Sequence, residues 1–141
     1  MREIYSKVNP EKLLHIVYKA EDFYSKPGKK QRTDVVPNNA FLQVASIRME
    51  EAQTFIPHKH IEYKKETNIT QESWVVIKGK VLAILYDIDD SIIHEETLCP
   101  GDCSITLLGG HNYKSLVDDT CVLEYKTGPY FGQEKDKVFI K

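Results

Sequence analysis

The chain has 141 residues, of which 41% are hydrophobic and 28% are charged, a composition typical of one soluble globular domain. Its formal net charge of −2 argues against a general attraction to nucleic acid or to anionic membranes. No apolar run approaches the roughly 18 residues of a membrane-spanning helix. The amino-terminal MREIYSKVNPEKLL also lacks the apolar core of a secretory signal. We therefore expect a cytoplasmic protein with neither nucleic acid nor membrane as a partner.

Residues 1–39 are predicted to form an N-terminal extension and a loop. Within them, Asn9-Pro10 is a possible helix start. The LLHIVYK that follows is acceptable as a helix or as a strand, and periodicity does not separate the two. SKPGKKQRTD, residues 25–34, predicts an exposed loop. Its basic cluster, Lys29 to Arg32, is either simply solvated or holds a phosphate group.

Residues 40–141 show a β pattern, with short apolar runs separated by turn residues. The predicted strands include AFLQVASIRM, QTFIPH, QESWVVIKG, KVLAILYDID, IIHEETLC and a last short KVFIK. The Lys78-Gly79-Lys80 junction predicts a hairpin. This spacing indicates an all-β sandwich or barrel. The run VLAILY is apolar at every position, so its second face needs a cover, either the N-terminal segment or a second subunit. A homodimer is thus one expectation.

The three cysteines, Cys99, Cys103 and Cys121, are expected to be reduced thiols. Cys99 and Cys103 have a spacing compatible with a pair of zinc ligands, but the sequence has no second pair to complete a tetrahedral site. The favoured interpretation is small thiols that are buried or flank a turn.

Histidines and a carboxylate recur around the predicted strands in a pattern suited to a metal. His58 and His60 are two residues apart, so on a strand both point to one face. Glu72 opens the next strand, and Gly109-Gly110 leads into His111. Three imidazoles and one carboxylate form a mixed nitrogen and oxygen set that suits divalent transition metals. Alternatively, these side chains only decorate a surface.

The same residues resemble the two motifs of the cupin superfamily over about Phe55 to Tyr113. His58-Lys59-His60 and the Glu72 to Gly79 unit resemble the first motif, and Pro100-Gly101-Asp102 with His111 resembles the second. The resemblance implies a jelly-roll barrel, the double-stranded β-helix, over residues 40–141. It also implies one divalent transition metal (Fe, Mn, Zn or Ni) held by His58, His60, Glu72 and His111. The eleven residues Ile61 to Gln71 make the gap before Glu72 longer than the family's usual one.

A narrower resemblance lies at the carboxyl-terminal end. Glu124-Tyr125-Lys126-Thr127-Gly128-Pro129-Tyr130 is similar to the ending of the WbuC family of cupin metalloproteins, as are Arg32 and Leu42-Gln43. That family is associated with surface-polysaccharide (O-antigen) gene clusters. The resemblance implies a pathway context, with a sugar or nucleotide-sugar as the small-molecule ligand, more than it implies a reaction.

Three residues are candidates for proton transfer. Tyr113 is two residues from His111 and should share its face, and Glu124 and Lys126 share a strand face as a possible acid and base. For Glu124 and Lys126 the alternative is a surface ion pair of little energetic value. We expect His15 and His94 to be ordinary residues, and Trp74 to be a core residue rather than a stacking platform.

Three functions remain open from the sequence. The first is a mononuclear metal enzyme with Lewis-acid, isomerase- or epimerase-like chemistry, of which an iron-dependent dioxygenase is a variant. The second is a non-catalytic barrel that binds or senses a small ligand through the metal. The third is a structural barrel that has kept its histidines without a functional ion.

Overall fold

The structure is a computed structural model that describes residues 1–23 and 31–141, and strands dominate this part of the chain. The strands are β1 (Arg2–Tyr5), β2 (Leu13–Tyr18), β3 (Gln31–Asp34), β4 (Ala45–Arg48), β5 (Glu72–Lys78), β6 (Val81–Tyr86), β7 (Ile92–Leu98), β8 (Cys103–Thr106), β9 (Gly110–Ser115) and β10 (Cys121–Lys126). A 3-10 helix covers Ala20–Phe23, and the short helix α1 covers Gln133–Asp136. The all-β prediction is confirmed.

The strands form two facing sheets and a ribbon. Sheet 1 has the order β1-β2-β8-β5-β10, sheet 2 has the order β7-β6-β9, and β3 pairs with β4. Every one of these pairs is antiparallel. No helix within residues 1–23 and 31–141 has the length and apolarity needed to cross a membrane.

Two apolar clusters hold the layers together. The first lies between the sheets and joins Val17 and Val76 of sheet 1 to Ala83, Leu85 and Leu98 of sheet 2. The second lies on the other face of sheet 1, where residues 35–44 cover β2 and β8. Sheet 1 is therefore covered on both faces over its centre, and burial of these aliphatic side chains is the main source of stability.

The hairpin predicted at Lys78-Gly79-Lys80 is wrong. β5 belongs to sheet 1 and β6 to sheet 2, so the turn carries the chain from one layer to the other. The chain returns to sheet 1 at β8, enters sheet 2 at β9 and comes back at β10. Two apolar runs joined by a tight turn have the same local pattern in both arrangements, and only the pairing partners distinguish them.

Among the other local predictions, some strands are confirmed and others are wrong. LLHIVYK forms strand β2, whereas QTFIPH, predicted as a strand, has no regular structure, and neither does any part of residues 53–71. Gln31–Asp34, predicted as loop, forms β3, while Lys29 and Lys30 lie outside the described residues. KVFIK is not a strand.

Two larger predictions concern the first residues and the run VLAILY. The division at residue 39 stays a prediction, although β1 and β2 are members of sheet 1. In VLAILY, Val81, Ala83 and Leu85 are buried and the alternate side chains are only half-buried, so one face is fully covered rather than two.

The three cysteines are free thiols, and burial raises the pKa of Cys103 to about 11.

Candidate functional site

Polar side chains gather at one end of the sandwich. Across sheet 1, Lys126 lies opposite Glu72, Glu72 opposite Thr106, and Thr106 opposite His15. His111, at the start of β9 in sheet 2, reaches across to this row, and its Nε2 lies 3.1 Å from Oε1 of Glu72. The fold thus joins two of the predicted metal ligands from opposite sheets.

The Glu72 carboxylate is buried and oriented by two partners. Its side chain is 6% exposed, and Trp74 Nε1 donates a hydrogen bond of 2.7 Å to the same Oε1 that contacts His111. Burial pushes the pKa of Glu72 upward, but the hydrogen bonds from His111 and Trp74 and the nearby positive charges outweigh it. The pKa therefore lies below its ordinary value, and the group is held as a carboxylate.

Only one of the two ring nitrogens of the His111 imidazole has a polar partner within the described part of the chain. Nε2 contacts Glu72, while Nδ1 is buried and has no hydrogen-bond partner within the described part of the chain. The side chain is 25% exposed, so the ring borders the opening of this end of the sandwich. A buried ring nitrogen without a partner is a vacant hydrogen-bonding or coordinating position, because such atoms are normally satisfied.

Tyr113 shares the inward face with His111, as predicted, but its hydroxyl is occupied. The Tyr113 ring stacks on Trp74 with centroids 4.1 Å apart, and its hydroxyl donates to Ser104 Oγ at 3.2 Å. Burial strongly raises the pKa of Tyr113. In this arrangement Tyr113 supports Trp74, which in turn orients Glu72. Trp74 thus stacks on an aromatic ring and also donates to the carboxylate.

Lys126 and Glu124 take different environments. The Lys126 ammonium lies 3.5 Å from Asp136 Oδ2 and 4.4 Å from the centre of the Tyr130 ring, whereas Glu124 is exposed. Partial burial lowers the pKa of Lys126, but the surrounding carboxylates, Glu124, Asp136 and Glu72, more than reverse this and raise it. Lys126 is therefore a persistent cation beside Glu72.

An open groove adjoins this end of the sandwich. It has a volume of about 320 Å³ and is lined by residues from the loop before β5 and from the segment after β10, among them Asn68, Thr70, Thr127, Phe131 and Lys135. Glu72, Lys126 and His111 do not line the groove, but its Asp136 contacts the Lys126 ammonium, so the groove lies beside the polar row. Its size and mixed lining suit a small polar molecule.

His15 is a member of the row that sequence reasoning treated as ordinary. The ring is fully buried, with Nε2 donating to the Tyr86 carbonyl oxygen at 2.9 Å and Nδ1 accepting from Thr106 Oγ1 at 3.1 Å. Burial lowers its pKa to about 4, so the ring is neutral at physiological pH. Its position in an apolar strand pattern gave no sign that it would lie in line with Glu72.

His58 and His60 are not brought to this site. Both are exposed on the irregular segment of residues 53–71, with ring centroids 5.7 Å apart, and His58 Nδ1 donates to the carbonyl of Ile56 at 2.8 Å. Apolar side chains beside them are also exposed, including Ile56 at 86% and Ile61 at 84%. The two imidazoles keep their mutual proximity but lie apart from Glu72 and His111.

No protein-family model, curated protein or solved structure matches this chain.

The donor set fits a divalent transition metal in part. Glu72 and His111 supply one oxygen and one nitrogen ligand in contact with each other, of the kinds such ions take. Within residues 1–23 and 31–141, no three His, Cys, Asp or Glu side chains converge as a metal-binding group. The four-ligand site that the cupin resemblance implies would require His58 and His60 to lie at this end of the sandwich as well.

Proposed function

We propose that this protein is a small cupin-type jelly-roll metalloprotein that acts on a polar small molecule by proton transfer, in isomerase- or epimerase-like chemistry. The observation that carries the proposal is the contact between the buried Glu72 carboxylate and His111 Nε2 at the grooved end of the sandwich. A carboxylate and an imidazole held together in a partly closed site are a common arrangement for metal binding and for acid–base work.

The strand connections support the jelly-roll part of the proposal. From β5 onward the chain passes between the two sheets four times, and each sheet is antiparallel. Such alternation winds the strands around one core, as in a double-stranded β-helix. The cupin and WbuC resemblances agree with this winding, and the sugar or nucleotide-sugar substrate rests on them alone.

The metal part of the proposal requires one rearrangement. β9 pairs with β6 on one side and has no strand on its other side in the part of the chain that the structure describes. We propose that Phe55–Ile61 adds to this free edge as a strand, which would place His58 and His60 beside His111. His58, His60, Glu72 and His111 would then hold one divalent Fe, Mn, Zn or Ni ion. The ion would supply Lewis acidity to a bound oxygen.

The remaining residues have separate parts in this proposal. Trp74 fixes the orientation of Glu72 through its hydrogen bond, and Tyr113 stacks on the Trp74 ring and holds it in place. Lys126, a cation beside Glu72, is the proton donor that we favour, and the exposed Glu124 on the same strand is the candidate base. Tyr113 is the weaker candidate, because its hydroxyl is bound to Ser104 and burial raises its pKa. The substrate would enter through the groove beside Lys126.

Metal analysis of protein purified without an affinity tag tests the proposal. We expect close to one equivalent of a transition metal in the wild-type protein, and at least about a tenfold loss of metal affinity in His58→Ala, His60→Ala and His111→Ala. His94→Ala is the matched control, because His94 on β7 binds Arg2 of β1 and Glu96 of its own strand and lies outside the proposed set. It should retain the metal.

Three results would each count against a part of the proposal. Failure of the wild-type protein to take up any transition metal would remove the metal site. Loss of metal in the His111 variant but not in the His58 and His60 variants would show that residues 55–61 do not add to β9. Metal-dependent binding of a candidate sugar without turnover would contradict the enzyme hypothesis and support a binding or sensing barrel.

A further inference from the structure

The outer edge of sheet 1 is open at β10. β10 is the last strand in the order of sheet 1, and nothing in the described part of the chain pairs with its far side. Two large apolar side chains stand exposed along it, Leu123 at 47% and Tyr125 at 54%. An exposed edge strand with apolar side chains is a template for pairing with another strand, and natural proteins usually cover it.

The main-chain groups available at this edge follow from the pairing with β5. Thr127 N–H donates to the Gln71 carbonyl, and hydrogen-bonding direction alternates along a strand, so Leu123 and Tyr125 also bond toward β5. The Val76 main chain bonds the other way, to the turn before β8, which fits this alternation. The N–H and C=O groups of residues 122, 124 and 126 therefore point outward.

We infer that β10 pairs antiparallel with β10 of a second copy of this chain, with Tyr125 opposite its own counterpart. A twofold interface places the same strand on both sides, and the outward groups must meet outward groups. Centring the pair on Tyr125 puts Glu124 opposite Lys126 of the other copy, twice. Centring it on Glu124 would oppose two like carboxylates, which disfavours that register.

The inferred pairing joins the two copies of sheet 1 into one continuous sheet. The Tyr125 side chains would meet at the twofold axis as a non-hydrogen-bonded pair, the closer of the two antiparallel pair types. Leu123 of each copy would lie opposite Thr127 of the other, away from its own counterpart. The inference does not rest on the proposed function, since it uses only the pairing, exposure and charges of β10.

Cysteine cross-linking tests the register. In a Cys121→Ser background, which removes an exposed thiol, Tyr125→Cys should form an intermolecular disulfide under mild oxidation, because opposed residues in such a pair lie within disulfide reach. Leu123→Cys is the matched control, exposed on the same face of the same strand, and should not cross-link. Absence of the disulfide in Tyr125→Cys, or equal cross-linking of both variants, would overturn the inference.

Light scattering over a concentration series tests the dimer itself. The wild-type protein should approach twice its chain mass of 16.3 kDa, and Glu124→Lys should raise the dimer dissociation constant at least about tenfold by opposing two lysines. Ile92→Lys replaces a similarly exposed side chain on β7, an edge strand of sheet 2, and should leave the dimer intact. A monomeric wild type, or a dimer sensitive to Ile92→Lys and insensitive to Glu124→Lys, would refute it.

Discussion

At the residue scale, neutral and charged groups lie close together at the grooved end of the sandwich. His15 is buried and neutral, with both ring nitrogens hydrogen-bonded, while Glu72 on the same cross-strand row is ionised. Thr106 on β8 lies between them, opposite His15 of β2 on one side and opposite Glu72 of β5 on the other. The row is therefore polar without placing two like charges together, which allows it to be buried.

The buried His15 predicts acid sensitivity. Its pKa is about 4 in the folded protein and about 6.5 when unfolded, so between these pH values only the unfolded chain binds the proton. Stability therefore falls as the pH falls from 6.5 to 4, by up to about 3 kcal/mol from this group. Denaturant unfolding of the wild type and of His15→Gln across this range measures it. Equal pH slopes for the two proteins would contradict the assignment.

At the element scale, the turn between β5 and β6 decides how the layers are connected. Gly79 has φ +86°, in the region that disfavours residues with a side chain. A Cβ at this position would also lie 2.8 Å from the Thr120 Cα, a main-chain atom that cannot yield easily. The glycine thus permits both the left-handed turn and the close approach of the segment before β10.

Gly79→Ala is expected to destabilise the fold by at least about 2 kcal/mol, because the backbone strain and the clash with Thr120 act together. Chemical denaturation gives the free energy of unfolding. Gly128→Ala is the control, since a Cβ there would meet only the Tyr130 nitrogen at 3.9 Å, and its effect should stay within about 0.5 kcal/mol. Similar losses in both variants would mean that the turn is more adaptable than its geometry indicates.

At the scale of the whole molecule, the two ends of the chain tie the sheets together. Near the start, Ser6 Oγ donates to Asp87 Oδ1 at 2.5 Å, linking the segment after β1 to the turn after β6. Near the end, Asp136 binds Thr70 beside sheet 1, and Ile140 packs against Gly110 of sheet 2. The carboxyl-terminal segment therefore spans the grooved end of the sandwich.

Loss of the contact between Ile140 and Gly110 should lower the stability of the whole sandwich slightly. Ile140→Ala is expected to lower the free energy of unfolding by about 1 kcal/mol, because it removes a half-buried aliphatic side chain that packs on Gly110. Val138→Ala, at a position that is 91% exposed, should change it by less than about 0.5 kcal/mol. Thermal and denaturant melts compare the two. An effect of Val138→Ala as large as that of Ile140→Ala would place the anchor elsewhere.

The residue pattern alone predicts the all-β class and most strands from β5 onward. These depend on alternation, turn residues and strand parity, which are local properties of the chain. Long-range packing separates β5 and β6 into different sheets, brings His111 and His15 to Glu72 and its row, and leaves His58 and His60 exposed. Each of these depends on which strands pair across long sequence separations, and burial and cross-strand hydrogen bonding settle that choice after the local pattern is set.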